Sequence, residues 1–203
     1  MDAVAVGVFG PVRLRLGDDS PAPLRGSAAR LVGTLVVRVD AGTPIDRDRL
    51  AFTLWPDRSE SSARRALTDA IYRLRTALDS EVAAELLVVA TDTVALGAVD
   101  TDLAEFRRDA ASDDPQRWDR ALERSTEPLL ANLDEEWLSG ERAAIERQRA
   151  ELFAALVDHH RRRRAPHDVV DTARRWAGSA PLDEDAHAAL IAALAENGEL
   201  DDA

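Results

Sequence analysis

The alternation of apolar and polar residues near the start of the chain predicts a small sheet. Residues 4–9 form an apolar run, and residues 12–16 alternate valine or leucine with arginine, as a half-buried strand does. Gly10 and Pro11 separate the two runs. A short third strand is expected near Leu24, after the next turn.

Apolar residues then recur at helical spacing, which predicts three consecutive helices. The first is expected to begin at a Ser27 cap and to end near Val39. The second is expected to begin at an Asp46 cap and to stop at Pro56, because proline cannot continue a helix. The third is expected over residues 59–78.

Two apolar runs follow these helices and predict a hairpin. Residues 86–90 and 94–96 are its strands, and Thr91, Asp92 and Thr93 form its tip. The resulting order is β-β-β-α-α-α-β-β, which is that of an α+β winged helix with an N-terminal sheet. Two unrelated small motifs would not explain three helices closed by a hairpin. We therefore predict a winged-helix DNA-binding domain over residues 1–98.

The pattern of residues 99–203 is helical throughout. Two amphipathic helices are followed by a loop and a long helix over about 135–164. Residues 168–178 and 183–197 then predict an antiparallel helical pair, the unit of tetratricopeptide-like solenoids. We expect an all-α domain of this type, and the pattern at the end of the chain predicts that it continues beyond Ala203.

The third helix carries the candidate chemistry. One side is apolar, and the stretch from Arg58 to Leu78 holds five arginines against two acids, a local net charge of +3. Such a face is typical of a solvated helix, but its position before a terminal hairpin favours a recognition helix in the DNA major groove. The residues expected to contact DNA are Ser62, Arg64, Arg65, Thr68, Asp69, Tyr72, Arg73, Arg75 and Thr76.

Charge limits this prediction. The net charge is −12, all 26 basic residues are arginine, and residues 98–203 account for −11 of the total. The acidic second half is unsuited to phosphate and fits protein contacts. Asp92 at the hairpin tip offers no minor-groove anchor. We expect weak DNA affinity from the first domain alone, with a dimer or a partner needed.

Other classes of function lack the residues they require. The chain has no cysteine, no lysine for a phosphate loop or a Schiff base, and no nucleophile arrangement, so neither an enzyme nor a cofactor is predicted. His159, His160 and His167 are poorly spaced for metal, and the arginines at 161–164 suit a helix C-terminus. No signal peptide or apolar run of about 20 residues appears. We expect a soluble cytoplasmic protein without membrane contact.

Motifs in both halves resemble the antibiotic-regulatory (SARP) activators of actinobacteria, which join a response-regulator-type winged helix to a bacterial transcriptional activator domain. In the first half the similar segments are residues 46–50, 54–57, 63–67 and 72–78. In the second half they are residues 99–102, Phe106, 128–130, Trp137, Glu141, Arg142, 181–184, Leu190, Leu194 and Gly198.

The resemblance implies sequence-specific binding to double-stranded DNA and activation of transcription. It also implies that the helical domain contacts RNA polymerase, another protein, or a second protomer in a homodimer. The alternative is a protein-interaction or signal-sensing module of a larger multidomain regulator, with weak or lost DNA binding. The hairpin sequence at 93–96 is similar to forms found at the front of such regulators.

Overall fold

The chain folds into two compact units in a computed structural model that describes residues 4–17, 20–39 and 42–198. The first unit contains residues 1–105 and 127–134, and the second contains residues 106–126 and 135–203. The units therefore interleave along the sequence, and the division after residue 98 stays a prediction. The expected start of a further helix at 201–203 lies outside the described residues.

The elements of the first unit come in an order close to the predicted one. They are β1 (Val4–Gly7), β2 (Arg13–Leu16), β3 (Ala22–Pro23), α1 (Gly26–Arg38), β4 (Ile45–Asp46), α2 (Arg47–Leu54), α3 (Glu60–Ala77), α4 (Ser80–Leu86), β5 (Leu87–Val89), β6 (Thr93–Leu96) and β7 (Asp100–Thr101).

The strands form two sheets. The N-terminal sheet has the order β3-β2-β1-β7, with β1 and β7 parallel and the other pairs antiparallel. Val4 and Val6 of β1 and Leu14 of β2 are buried, as the alternation predicted. The second sheet has the order β4-β6-β5. Strands β5 and β6 are the predicted hairpin, and β6 also pairs with β4, which directly precedes α2 in the chain.

A segment far along the sequence completes the first unit. The carboxylate of Asp102 accepts hydrogen bonds from the backbone N–H groups of Val8 at 2.9 Å and Phe9 at 3.1 Å. The amide of Leu130 donates to the carbonyl of Val8 at 2.7 Å, and Leu130 is fully buried. These contacts give a structural reason for two of the motifs on which the resemblance rests.

The second unit is helical. Its elements are the end of α5 (Asp102–Ala110), α6 (Pro115–Arg124), α7 (Leu138–Arg162), α8 (Pro166–Ser179) and α9 (Glu184–Asn197). A buried apolar cluster joins the last three helices and consists of Val157, Val169, Val170, Ala173, Ala193 and Leu194. The rings of Phe153 and Trp176 stack with centroids 6.0 Å apart. The predicted succession of an α+β domain and an all-α domain is confirmed.

Several predicted boundaries were wrong. Helix α1 begins at Gly26 with Arg25 at the N-cap position and no side-chain cap bond, so Ser27 is not its cap. The long helix ends at Arg162 rather than 164, because Pro166 opens α8 instead. Helix α4 and the two-residue strands β4 and β7 were not predicted, since elements this short show no readable period.

Candidate nucleic-acid interface

Helix α3 buries one side and exposes the other. Its buried residues are Ala63, Leu67, Ala70, Ile71 and Leu74, which confirms the apolar stripe. The opposite side carries Arg65, Asp69, Tyr72 and Arg73, all exposed, and 69% of the Tyr72 surface is accessible. Its exposed ring and hydroxyl offer a ligand both an apolar face and a hydrogen-bonding group.

Three arginines of α3 are exposed and form no ion pair within the described part of the chain. They are Arg65, Arg73 and Arg75. An arginine that forms no ion pair keeps all five N–H donors for a ligand, and its planar fork matches phosphate oxygens and the O6/N7 edge of guanine. These side chains therefore form the part of the helix best suited to nucleic acid.

Arg64 differs from them because acids of the protein hold it. Its Nε and Nη2 atoms each lie 2.5 Å from an oxygen of Asp48 in α2, and Nη2 lies 2.6 Å from Glu60. The hydrogen bond to Arg64 holds the pKa of Asp48 below its usual range, and the same bond raises the pKa of Arg64. The bidentate pair joins α2 to α3 and neutralises Arg64 locally.

Two of the candidate hydroxyl groups are already hydrogen-bonded within the helix. The Thr68 hydroxyl donates to the carbonyl of Arg64 at 3.0 Å, and the Thr76 hydroxyl donates to that of Tyr72 at 2.8 Å. Ser62 is only half-exposed. Their remaining lone pairs can accept hydrogen bonds, so they suit supporting contacts better than charge neutralisation.

The start of α2 lies against the hairpin tip. Asp46 caps α2 by accepting from the amides of Asp48 and Arg49, as predicted. The amide of Arg47 donates to the carbonyl of Asp92 at 2.9 Å, and its guanidinium donates to Thr68 at 3.4 Å. A polar pocket of about 370 Å³ lies between these elements.

Arg47 also belongs to this polar surface between α2, α3 and the hairpin tip. Arg47 is not among the residues expected to contact DNA, yet its guanidinium donates to the Thr68 hydroxyl of α3. Its one available signal was a basic residue directly after an N-cap, where helix N-termini commonly meet anions.

The turn between α2 and α3 is also fixed by packing. Trp55 is 8% exposed, and the guanidinium carbon of Arg58 lies 5.9 Å from its ring centroid. The amide of Arg58 donates to the carbonyl of Trp55 at 3.2 Å. Trp55 therefore anchors the turn that sets where α3 begins.

The other candidate chemistry has a structural account. Arg161 lies 3.2 Å from Glu196 of α9, and His160 lies 3.8 Å from Asp168. Within residues 4–17, 20–39 and 42–198, no group of three or more His, Cys, Asp or Glu residues is placed to hold a metal ion. None of the helices in those ranges is long and apolar enough to cross a bilayer.

Comparison with known proteins gives both the fold and the family. No curated protein matches the chain. The solved structure of Mycobacterium tuberculosis EmbR in complex with a low affinity phosphopeptide is similar, with a TM-score of 0.76 and 19% sequence identity. The match covers 100% of this chain and 57% of the EmbR chain, so this chain spans little more than half of that protein's length.

The family is shown by the second half of the chain. Residues 92–203, more than half of the chain, match the sequence model of the family described as "Bacterial transcriptional activator domain". This match confirms the resemblance found in the sequence motifs. The chain therefore belongs to the bacterial transcriptional activator domain family, whose members are transcription regulators rather than enzymes.

Proposed function

We propose that this protein activates transcription by binding a specific DNA sequence, with α3 in the major groove. The observation that carries the proposal is the exposed set of Arg65, Arg73 and Arg75 on a helix whose other side is buried. An α-helix fits the major groove, where arginine discriminates guanine through two hydrogen bonds.

The residues of α3 then take different roles. Arg65 and Arg73 read base edges or phosphates, and Tyr72 packs its ring against the backbone or a thymine methyl group. Asp69 can accept from cytosine N4, which would add discrimination at one position. Ser62, Thr68, Arg75 and Thr76 lie at the sides or ends of this face and make supporting contacts.

In this proposal Arg64 does not contact DNA but holds α3 in place. Its bidentate bond to Asp48 fixes α3 against α2, so its charge is already balanced inside the protein. The helical domain supplies the second function, contact with RNA polymerase or with a second protomer. The acidic balance of residues 98–203 fits a protein partner better than a second DNA surface.

Selection from a random DNA pool tests this proposal. The full chain is used at about 50 mM salt, and the enriched sequence is then titrated with the double variant Arg65→Ala/Arg73→Ala. We expect at least a tenfold loss of affinity, because each arginine–base contact is worth about 1–3 kcal/mol. The matched control is Arg107→Ala/Arg120→Ala, which changes the same charge at exposed positions of the second unit.

Equal losses in the two double variants would contradict a reading role for α3. The alternative function, an interaction or sensing module, draws support from the acidic hairpin tip at Asp92 and the near-neutral first half. Failure of the folded protein to enrich any sequence at that salt concentration would favour this alternative.

A further inference from the structure

The N-terminal sheet carries a pocket that the DNA-binding proposal does not use. It has a volume of about 240 Å³, below the roughly 300 Å³ of sites for drug-sized ligands, so it suits a smaller molecule. Strands β1, β2 and β7 and the start of α5 supply most of its lining, and every lining residue belongs to the first unit. The argument below uses Ala5, Gly7, Arg13, Arg15, Asp100 and Asp102 of that lining.

Strand pairing puts an arginine and an aspartate on either side of a small residue. Ala5 of β1 pairs with Arg15 of β2 and, on its other side, with Asp100 of β7. Paired residues of neighbouring strands point to the same face of a sheet. The next row faces the core and is buried, and it consists of Leu14, Val6 and Thr101. The charged row therefore lies on the face turned away from the core, with its two charged residues about 9.5 Å apart at Cα.

Small residues of β1 form the floor between these charges. Strands commonly carry β-branched or aromatic residues, but β1 has Ala5 and Gly7 on this face. Gly7 makes room for a neighbouring carboxylate, because a Cβ atom there would lie 3.3 Å from Oδ2 of Asp102. Ala5 fills little of the space between Arg15 and Asp100, so a ligand can lie on β1 between them.

The other charged groups of the pocket are already engaged. Nη2 of Arg13 lies 3.4 Å from Oε2 of Glu127. The Asp102 carboxylate accepts from two backbone N–H groups of the segment after β1. Glu105 also interacts within the chain. These three side chains therefore have roles in the fold of the first unit.

Two charges of the pocket remain available, and they have opposite signs. Arg15 and Asp100 are exposed and form no ion pair in the part of the chain that the structure describes. A simple anion would be attracted by Arg15 but repelled by Asp100, and a simple cation would meet the reverse. A molecule that carries both charges satisfies both side chains at once. Its carboxylate suits the planar fork of arginine, and its ammonium group suits a carboxylate.

We propose that this pocket binds a small zwitterion of the amino-acid class, with its carboxylate on Arg15 and its ammonium group on Asp100. The aliphatic part of the ligand lies over Ala5 and Gly7. The bound molecule bridges β2 and β7 across β1, and β7 is a two-residue strand that directly precedes α5. Binding therefore stabilises the pairing of β7 and gives this regulator a place at which a metabolite acts, outside α3.

A nuclear magnetic resonance titration of the full chain tests the site at low salt, where exposed charges are least screened. The probes are glycine, β-alanine and γ-aminobutyrate, which carry both charges at increasing separation. Propionate and ethylamine each keep one charge of β-alanine and serve as controls. We expect at least one zwitterion to shift the backbone amide signals of Ala5, Arg15 and Asp100 in a saturable way. Two exposed ion pairs imply a dissociation constant of about 1 mM.

Charge-removing variants identify which group each side chain binds. Arg15→Gln and Asp100→Asn should each weaken zwitterion binding by about threefold to fivefold, the upper part of the range for exposed ion pairs. Arg15→Gln should also bind the zwitterion no better than ethylamine, and Asp100→Asn no better than propionate. The matched controls are Arg25→Gln and Asp57→Asn, at exposed positions of the first unit that lie outside the pocket.

A steric variant tests the floor without changing any charge. Ala5→Val adds two methyl groups between Arg15 and Asp100 and keeps a residue that strands favour, so we expect loss of binding in a folded protein. If this variant does not fold, the two charge-removing variants still decide the proposal.

Three results would overturn the proposal. The first is that none of the zwitterions shifts the three amide signals up to about 100 mM, a hundredfold excess over the expected dissociation constant. The second is that propionate or ethylamine binds as tightly as the best zwitterion. The third is that the control variants weaken binding as much as Arg15→Gln and Asp100→Asn. No residue of the pocket belongs to α3, so this proposal and the DNA-binding proposal fail independently.

Discussion

Asp109 shows how a single buried carboxylate is kept charged in the second unit. The residue is 5% exposed, and its two oxygens accept from Arg117 Nε at 2.9 Å and Arg124 Nη1 at 3.0 Å. Burial is the largest influence and would raise its pKa, but the hydrogen bonds from Arg117 and then Arg124 outweigh it. The pKa of Asp109 is therefore lowered.

Replacement of Asp109 by asparagine should destabilise the protein most at neutral pH. A lowered pKa in the folded state means that the carboxylate adds stability above its unfolded pKa of about 3.9. That stability is lost as pH falls through the folded pKa. We expect a deficit of about 1–3 kcal/mol in the free energy of unfolding at pH 7, shrinking below about pH 4.

Urea unfolding at pH 7, 5, 4 and 3 measures this deficit. Asp113→Asn serves as the control, because Asp113 is exposed and has no ion pair within the described residues. A deficit that stays constant over the whole pH series would show that the charge of Asp109 is not what stabilises the fold.

At the scale of elements, α2 and α3 are joined by a bond that distinguishes two neighbouring arginines. Arg64 is balanced by Asp48 and Glu60, whereas Arg65 forms no ion pair within the described residues. If α3 binds DNA, the charge of Arg65 releases a counterion from a DNA phosphate. The charge of Arg64 does not, because Asp48 and Glu60 already balance it.

Arg65→Ala should therefore reduce the slope of log affinity against log salt by about 1 if Arg65 contacts phosphate. Arg64→Ala should leave that slope nearly unchanged and instead lower affinity at every salt concentration, because α3 loses its bond to α2. Fluorescence anisotropy with the selected DNA between about 50 and 200 mM salt measures both. Equal slopes for the two variants would refute this division of roles.

The backbone at the end of the hairpin lies so close to the end of α4 that position 97 has room only for glycine. A Cβ atom at Gly97 would stand 1.7 Å from the carbonyl oxygen of Glu85, and the Gly97 amide donates to Leu86 at 2.9 Å. Gly97→Ala should force the two backbones apart and lower the melting temperature by several degrees. Gly140→Ala is the control, because a Cβ there meets nothing within 4 Å and lies in a helix. Equal melting temperatures would contradict the close approach.

Long elements were predicted from the sequence more accurately than short ones. Helix α3 was found to within one residue at each end, because 18 residues carry a full apolar stripe. Strands β4 and β7 have two residues each and exist only through pairing with β6 and β1, which a local pattern does not contain.

The candidate interface was predictable only where it depends on the local periodicity of α3. The face of α3 followed from periodicity, but the neutralisation of Arg64 by Asp48 links residues 16 positions apart. This contact depends on how α2 packs on α3, which no local pattern contains.

At the scale of the whole molecule, charge is distributed so that the chain as a whole repels DNA. The net charge is −12 and the isoelectric point about 4.8, while the stretch from Arg58 to Leu78 is locally +3. Exposed charges act over roughly a Debye length, which is about 10 Å at 0.1 M salt and 30 Å at 0.01 M. Repulsion by the acidic half should therefore suppress non-specific binding mainly at low salt.

Neutralising acids of the second unit should then raise non-specific DNA affinity without touching α3. Asp113→Asn, Glu123→Gln and Glu151→Gln together remove three exposed negative charges with no ion pair in the described residues. We expect a gain of about twofold to fivefold at 20 mM salt, disappearing by about 300 mM as screening shortens the interaction. The matched control exchanges the same residues for the other acid, Asp113→Glu, Glu123→Asp and Glu151→Asp, and keeps the charge. A gain that persists at high salt, or appears equally in the control, would mean that the substitutions act on structure rather than on the field of the molecule.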